Sequence, residues 1–551
     1  MQATWCTHPA DSRTAGELAH AVGIHPITAQ LLLNRGIRTA QDAMRFLTPG
    51  LETLEEPTTL PGLARSVARL RRAIAKREPI LIFGDSDVDG LSASVILFEA
   101  LRELGAMVQI KLSNRVADGY GIPQALIRQI CRSSTQLVIL VDCGTNQSQA
   151  VRLLATHGID TIIVDHHVPL DAPARPAVLV NPHCQQASRW RELSSAGLAF
   201  KVVQALLGNI ADERPSAYLD VAALGILADY SPMVGESRAI VAAGLQHIVR
   251  SDRPGLRRLC EATRTSKPVP DQIIRRLVPK LNASGRLGDP IAIWNLLLRE
   301  PDGDLDTSMA AAEQAHATTK QLHRDVLGEA CEQVNRLNFK DHYVLVVSRS
   351  GWHQGVMGPL ASQLAERYGR PTIALAMDEQ CGIGSGRSIP VFNLLQALQA
   401  CQDLLMSFGG HAQACGLTLE RKRLEQFRAL VNQYAEVSVG RQGLLKTRAI
   451  DLELPLSEIQ PQWVEETERF APFGNGNQRP TVVIRRLTID ARSPRTAILS
   501  DGTTRVFSRG QFPDEVLGGR YDVVASPAVV EGQLMLAVSD VKTALSGPAQ
   551  I

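Results

Sequence analysis

Between residues 79 and 168 short apolar runs recur at close intervals: PILIF (79–83), MVQIKL (107–112), QLVILV (136–141) and DTIIV (160–164). Helix-patterned stretches such as ASVILFEALREL (93–104) separate them. This alternation predicts βαβ units and a parallel sheet. The preceding stretch, from about 15 to 80, is helical in pattern, and LARSVARLRRAIAKR (63–77) predicts one amphipathic helix whose arginine-rich face is solvated. Residues 305–336 contain no proline and predict a long helix spacing two lobes. A second α/β region is expected from about 340 to 445, with strands HYVLVVS and PTIALAM. The last hundred residues carry short strands, TVVIRRLTIDA, RVFSR, YDVVASPAVVEG and QLMLAVSDVK, and predict a small β-barrel. The expected architecture is therefore α/β. A helical N-terminal segment and a parallel-sheet domain fill 1–300, a connecting helix 301–338, a smaller α/β domain 339–446, and a barrel 447–551.

Composition narrows this picture only a little. A chain of 551 residues exceeds one ordinary core. With 58 basic and 56 acidic residues the formal net charge is +2, so a phosphate-binding surface has to gather its positive charge in one groove. Nine scattered cysteines with no CxxC pair argue against a disulfide framework and a cysteine–zinc site. The N-terminus lacks a basic and then apolar leader, and no apolar run approaches the ~18 residues of a membrane span. A soluble protein of the reducing cytoplasm, with no membrane partner, is the expectation.

The chemistry gathers at strand ends. PILIFGDSDVDG runs into Asp85, Asp87, Asp89 and Gly90. Carboxylates at alternate positions repel one another unless a cation sits among them. A calcium loop of the EF-hand kind is excluded: its twelfth position would be Ile96, where a glutamate is required, and a strand precedes it. QLVILVDCG places Asp142 at the third strand end, and TIIVDHH places Asp165, His166 and His167 at the fourth. VAALGILADYSP adds Asp229 after a further apolar segment, read with the others as a strand end. Singly, each aspartate reads as a helix cap and each histidine as an ordinary packed residue. Neighbouring strand residues point to opposite faces, so one of the two histidines is expected as a direct ligand. Together a carboxylate–imidazole set suits a pair of Mn²⁺-like ions, the standard device for phosphoester hydrolysis, with Asp142 as the bridge.

These motifs, Asp85-Ser86-Asp87-Val88-Asp89-Gly90, Val141-Asp142-Cys143-Gly144, Asp165-His166-His167 and Ala228-Asp229, resemble those of the DHH phosphoesterase superfamily. Within it the chain is similar along nearly its whole length to the RecJ family of single-strand-specific exonucleases. The similarity runs through LLLNRGIRTAQDAMRFLTPGLETLEEPTTLPGL (31–63), Asn114-Arg115, Asp118-Gly119-Tyr120-Gly121 and Leu281-Asn282-Ala283-Ser284-Gly285-Arg286. It continues in Gly351-Trp352-His353, Gly384-Ser385-Gly386-Arg387-Ser388, Gly409-Gly410-His411 and Pro472-Phe473-Gly474.

The resemblance implies a DHH-associated second lobe, an oligonucleotide-binding barrel, and 5′-to-3′ release of mononucleotides from single-stranded DNA in repair and recombination. It implies two Mn²⁺ or Mg²⁺ ions on Asp85, Asp87, Asp142, His166 and Asp229, with Asp89 and Asp165 behind them. His167 orients the site or meets substrate, and Arg286 and His411 lie near the phosphates. Arg115, Ser385 and Arg387 hold phosphate, Asn282 contacts substrate, and Tyr120 meets a base. Small residues in GSGRS are read as a turn whose N–H groups approach an anion. Implied partners are a single-stranded-DNA-binding protein and a helicase, and the chain is expected to be a monomer. Ser86, Thr145-Asn146 and Pro359 depart from the family pattern. The competing readings are a phosphodiesterase for short oligonucleotides or cyclic dinucleotides, and a non-catalytic DNA-binding scaffold.

Overall fold

The computed structural model describes residues 4–544, apart from 171, 185–188, 209–212, 340–341, 441–446, 494, 511 and 513–518. The chain divides into two compact units, Gly50–Leu445 and a unit built from both ends, Met1–Pro49 with Lys446–Ile551.

In Gly50–Leu445 the first sheet has five parallel strands, in the order Val108–Leu112, Ile80–Gly84, Leu137–Val141, Asp160–Val164, Val178–Val180. ILIFG and LVILV are buried at every position, because both faces of the sheet are covered. Ile80 and Ile82 pack with Val95, Phe98 and Leu224 on one face. Leu81 and Phe83 pack with Ile127 and Val151 on the other. From Ile80–Gly84 the chain winds outward one way to Val108–Leu112 and then returns across to Leu137–Val141. Connections leaving these two neighbours diverge and open a crevice at their carboxyl ends.

The helix Leu63–Lys76 buries Leu63, Val67, Leu70 and Ala73. Its arginine face is not wholly solvated as expected: Arg69 is 10% exposed and pairs with Glu78 and Asp160. The long helix is Leu305–Asn335. Its Ala312 belongs to the first core and its Val326, Ala330 and Val334 to a core of the second lobe, so one rigid rod serves both.

The second sheet runs Leu405–Gly410, Ala414–Glu420, Cys381–Arg387, Thr372–Met377, Leu345–Ser350, with only the last pair parallel. The expected GSGRS turn is instead part of the strand Cys381–Arg387, bonded on both sides. Its glycines serve close packing. A Cβ on Gly384 would meet the Ala374 carbonyl at 2.0 Å, and one on Gly386 would meet Leu394 at 2.5 Å.

In the other unit, Val482–Ser493, Thr496–Ser500, Arg505–Gly510, Gln533–Thr543 and Tyr521–Val530 close into a ring with one parallel pair. The helices Ser12–Val22, Pro26–Asn34 and Ala40–Leu47 complete its core, Leu18, Leu31, Leu32 and Leu47 packing with Trp463, Phe470, Val523 and Leu536. The N-terminal helices thus share the barrel's core, where the sequence reading grouped them with the parallel sheet. An amphipathic pattern announces an apolar face but not which distant partner covers it. Among the described residues no helix is long and apolar enough to cross a membrane.

The shared core predicts how the chain can be cut. A fragment Gly50–Leu445 is expected to run as a single species in gel filtration and to unfold cooperatively in urea. A fragment Met1–Leu445 leaves Leu18, Leu31 and Leu32 without the barrel and is expected to self-associate. The reverse pattern would contradict this partition.

Candidate metal centre

Three of the sheet's carboxyl ends deliver the side chains named from sequence. Asp85 follows Ile80–Gly84, Asp142 follows Leu137–Val141, and Asp165, His166 and His167 follow Asp160–Val164. Asp229 does not come from a strand end; it closes the helix Leu219–Ala228. That helix is buried at every position from Leu219 to Leu227, and an apolar run without amphipathic period reads equally as strand or helix. Asp87 caps the helix Val88–Glu103, its Oδ1 accepting from the Gly90 N–H at 3.1 Å. The Asn282 Oδ1 accepts from the Val88 N–H at 3.1 Å, fixing the same turn.

Asp142 is the point where the groups overlap. Donor atoms of Asp85, Asp87 and Asp142 lie within 4.8 Å of one another, as do those of Asp89, Asp142 and His166, of Asp142, Asp165 and His167, and of His166, His167 and His411. Asp142 has a left-handed backbone, φ +60°, uncommon for any residue but glycine. Its Oδ1 accepts from the Ser195 hydroxyl at 2.8 Å, and its carbonyl from the Tyr120 hydroxyl at 2.9 Å. The His166 Nε2 stands 3.4 Å from Asp142 Oδ1, 3.8 Å from Asp229 Oδ1 and 3.9 Å from Asp89 Oδ2. His167 turns its Nδ1 to Asp165 at 2.7 Å. The His411 ring stacks on His167 at 5.0 Å between centroids.

Burial and like charge set the protonation of this cluster. Burial, with Asp229 nearby, pushes Asp89 up to about 7, although Ser194 and the N–H groups of Ser195 and Ala196 hydrogen-bond it. Burial and Asp87 raise Asp142 well above the carboxylate range, and burial and Asp229 raise Asp87. Burial would lower His166, but Asp229 and Asp142 overcome it and raise the imidazole. Burial would raise Asp165, but His167 and the Thr145 N–H hold it below the usual range. Burial and the neighbouring histidines bring His411 down to about 3, so its ring is neutral. Its Nε2 is buried with no hydrogen-bond partner among the described residues. Crowded carboxylates, with imidazoles beside them and the orphaned, neutral His411 Nε2, fit divalent cations of the manganese or magnesium kind.

A positive region adjoins the cluster. Arg115 donates through Nε to Asp85 at 2.8 Å and through Nη2 to Asp87 at 2.8 Å, with a further close contact to Asp85, so it lies on the carboxylates. Arg286 and Arg387 have no carboxylate in ion-pair reach among the described residues. Burial and Arg387 push Arg286 down to about 10; burial and Arg115 lower Arg387. A Cβ on Gly358 would lie 3.3 Å from Arg387 Nη2 and 3.7 Å from the Ser385 hydroxyl. Both side chains therefore face the N-terminal turn of the helix Met357–Tyr368, whose dipole favours an anion. A Cβ on Gly355 would meet the Arg286 carbonyl at 2.0 Å, so glycine lets the two segments close up there.

Several contributors were not singled out from sequence. Ser113 bonds Asp85 at 2.7 Å; Ser194 and Ser195 tie Asp89 and Asp142 to the start of the helix Ser195–Leu207; His183 lies 6.4 Å from His411. The Ser194-Ser195 pair before an apolar helical run was a readable capping signal. The departures are accommodated. Thr145 accepts from Asn181 at 2.8 Å, Asn146 bonds the 168–170 loop, and Pro359 falls in a first helical turn, where no N–H is needed. The buried Ser86 hydroxyl has no hydrogen-bond partner among the described residues, and nothing in the structure explains that substitution.

Comparison with known proteins finds family domains along the chain. The DHH family N-terminal domain matches residues 79–226, the DHHA1 domain 341–437, and the RecJ OB domain 450–497. The single-stranded-DNA-specific exonuclease RecJ of Dickeya dadantii is 31% identical over 481 residues, covering 82% of each chain. That of Bacillus subtilis is 31% identical over 493 residues, covering 88% of this chain, which spans only 62% of that protein's length. The crystal structure of RecJ in complex with Mn²⁺ from Thermus thermophilus superposes with a TM-score of 0.83 at 27% identity, covering 99% of this chain and 80% of that one.

The raised groups give the metal-free protein a characteristic pH response. Folded Asp87, Asp89 and Asp142 hold protons that the unfolded chain has lost above about pH 4, so stability falls as pH rises toward and through about 7. His166, raised above its ordinary value, acts with the same sign. In chelator the melting temperature is expected to fall from pH 6 to pH 8, and Mn²⁺ to restore it by a margin that widens with pH. A flat or rising profile in chelator would contradict the assignment.

Proposed function

The chain belongs to the RecJ family of single-stranded-DNA-specific exonucleases, and we propose that it is a metal-dependent exonuclease removing mononucleotides from the 5′ end of single-stranded DNA. The observation that carries this reading is the junction of two unlike charge environments: a carboxylate cluster centred on Asp142, and beside it arginines with no carboxylate partner among the described residues. Phosphodiester hydrolysis needs both, one to activate water and one to hold the substrate's negative charge.

Asp85, Asp87, Asp142, His166 and Asp229 would hold two Mn²⁺ or Mg²⁺ ions, which supply hydroxide near neutral pH and neutralise the attacked phosphate. Asp89 fixes the helix start that carries Ser195 against Asp142. Asp165 fixes the tautomer and tilt of His167, and neutral His411 beside it is suited to donate to a phosphate oxygen. Arg286, Arg387 and Ser385, with the helix N-terminus, form the seat for the terminal 5′ phosphate. Arg115 stands between the two environments and contributes charge to both. Tyr120 and Asn282 complete the substrate wall. The barrel supplies a strand-binding module, and this favours a polymer over a dinucleotide. A cytoplasmic monomer working with a helicase and a single-stranded-DNA-binding protein is the setting such specificity needs, since duplex must first be opened.

The test is a single strand labelled at either end and incubated with Mn²⁺. Labelled mononucleotide is expected at the earliest times from the 5′-labelled strand alone, faster with a 5′ phosphate than a 5′ hydroxyl, and not in EDTA. First release from the 3′ label, or equal attack on duplex, would overturn the proposal.

A further inference from the structure

Hydrogen bonds sort Asp85, Asp87, Asp89, Asp142, Asp165 and Asp229 into two kinds. Asp89 and Asp165 have both carboxylate oxygens held. Asp89 Oδ1 accepts from the Ser194 hydroxyl at 2.7 Å and the Ala196 N–H at 3.0 Å, and its Oδ2 from the Ser195 N–H at 2.9 Å. Asp165 Oδ1 meets the His167 N–H at 3.1 Å and the ring Nδ1 at 2.7 Å, and its Oδ2 accepts from the Thr145 N–H at 3.1 Å. In the other four the fold's neutral donors hold one oxygen. Asp85 Oδ1 accepts from the Ser113 hydroxyl at 2.7 Å, Asp87 Oδ1 from the Gly90 N–H at 3.1 Å, Asp142 Oδ1 from the Ser195 hydroxyl at 2.8 Å, and Asp229 Oδ2 from the Ser231 hydroxyl at 2.6 Å. The second oxygens of Asp85 and Asp87 meet Arg115, and those of Asp142 and Asp229 accept no hydrogen bond among the described residues.

Three of these holders are serine hydroxyls from three places in the chain. Ser113 follows the strand Val108–Leu112, Ser195 opens the helix Ser195–Leu207, and Ser231 stands two residues after Asp229. They are enclosed, at 3%, 0% and 5% exposure. A buried hydroxyl that loses its acceptor has no water to replace it, so each bond resists rotation of the carboxylate it holds. The effect is sharpest at Asp142. Its Oδ1 lies 3.4 Å from His166 Nε2 and keeps a second lone pair, while Ser195 fixes the plane in which Oδ1 and Oδ2 diverge. Asp229 repeats the arrangement: Ser231 takes Oδ2, and Oδ1 lies 3.8 Å from the same His166 nitrogen.

We infer that Ser113, Ser195 and Ser231 set the metal selectivity of the centre: by pinning one oxygen of an aspartate, each serine holds that carboxylate to one oxygen per ion and so favours Mn²⁺ and Mg²⁺ over Ca²⁺. The inference rests on the metal-dependent reading above and extends it. Calcium gathers about six to eight oxygens in flexible geometry and draws on both oxygens of a carboxylate, whereas magnesium demands a near-ideal octahedron of about six. Ligand number and ligand flexibility decide between such ions. A pinned carboxylate cannot swing to chelate one large ion without leaving a buried serine unbonded. The serines act through the aspartates, so they are positioning residues and not ligands.

The test titrates Mn²⁺ and Ca²⁺ separately into metal-free wild type, Ser195→Ala, Ser231→Ala and Ser231→Thr at pH 8, read by calorimetry. Each alanine removes one oxygen and adds no bulk, and a cooperative melt in chelator certifies each fold. Wild type is expected to bind Mn²⁺ more tightly than Ca²⁺. In each alanine variant the ratio of the Ca²⁺ to the Mn²⁺ dissociation constant is expected to shrink roughly tenfold, mainly through weaker Mn²⁺ binding. Ser231→Thr keeps a hydroxyl and is expected to keep the wild-type ratio. A ratio unchanged in both alanine variants, including one in which both ions weaken by the same factor, overturns the inference. So does a wild type that binds Ca²⁺ as tightly as Mn²⁺. The readout does not depend on cleavage. A wild type that prefers Mn²⁺ but cleaves no strand defeats the nuclease reading, and the same ratios still decide the role of the serines.

Discussion

Mutual repulsion among buried carboxylates governs this molecule. Asp85, Asp89 and Asp142 are almost wholly enclosed, and Asp87 and Asp229 approach from the open side. No carboxylate cluster of this density keeps its charge in a low-dielectric interior by itself. Without cations the aspartates retain protons, as Asp89 does to about pH 7, or borrow a guanidinium, as Asp85 and Asp87 do from Arg115. The surrounding structure is largely what holds these groups close against that repulsion: serine hydroxyls, two helix N-termini and the strained backbone of Asp142.

The two-lobed unit gives the cluster its counterpart. The parallel sheet converges its strand ends on one crevice, while the second lobe brings His411, Ser385 and Arg387. The long helix Leu305–Asn335 belongs to the cores of both lobes, so it holds acidic cluster and arginines in register. Burial makes each arginine costly without an anion, as it makes each aspartate costly without a cation. A phosphodiester held beside divalent cations would satisfy both at once.

Much of this was legible in the sequence, and the failures have physical causes. Continuous apolar runs ending in Asp85, Asp142 and Asp165-His166-His167 read correctly because strands buried on both faces leave no other pattern. Asp229 reads from sequence as a strand end because a helix buried from Leu219 to Leu227 loses its period. GSGRS reads as a turn because glycine signals flexibility in sequence, whereas here it lets neighbouring strands and the helix Leu394–Ala400 approach Cys381–Arg387. The union of the N-terminal helices with the barrel is a contact across some four hundred residues, and nothing local encodes it. Ser113 reaches Asp85 through geometry that only the folded chain creates, whereas the Ser194-Ser195 pair carries a readable capping signal.

Calorimetric titration of Mn²⁺ into the metal-free protein and its Asp142→Asn variant bears most directly on the cluster. Two ions are expected to bind wild type at pH 8, more weakly at pH 6, and the variant is expected to lose high-affinity binding of both, since Asp142 belongs to three of the four overlapping donor groups. A single ion in wild type, or two ions bound by Asp142→Asn with unchanged affinity, would contradict a two-cation centre built around Asp142.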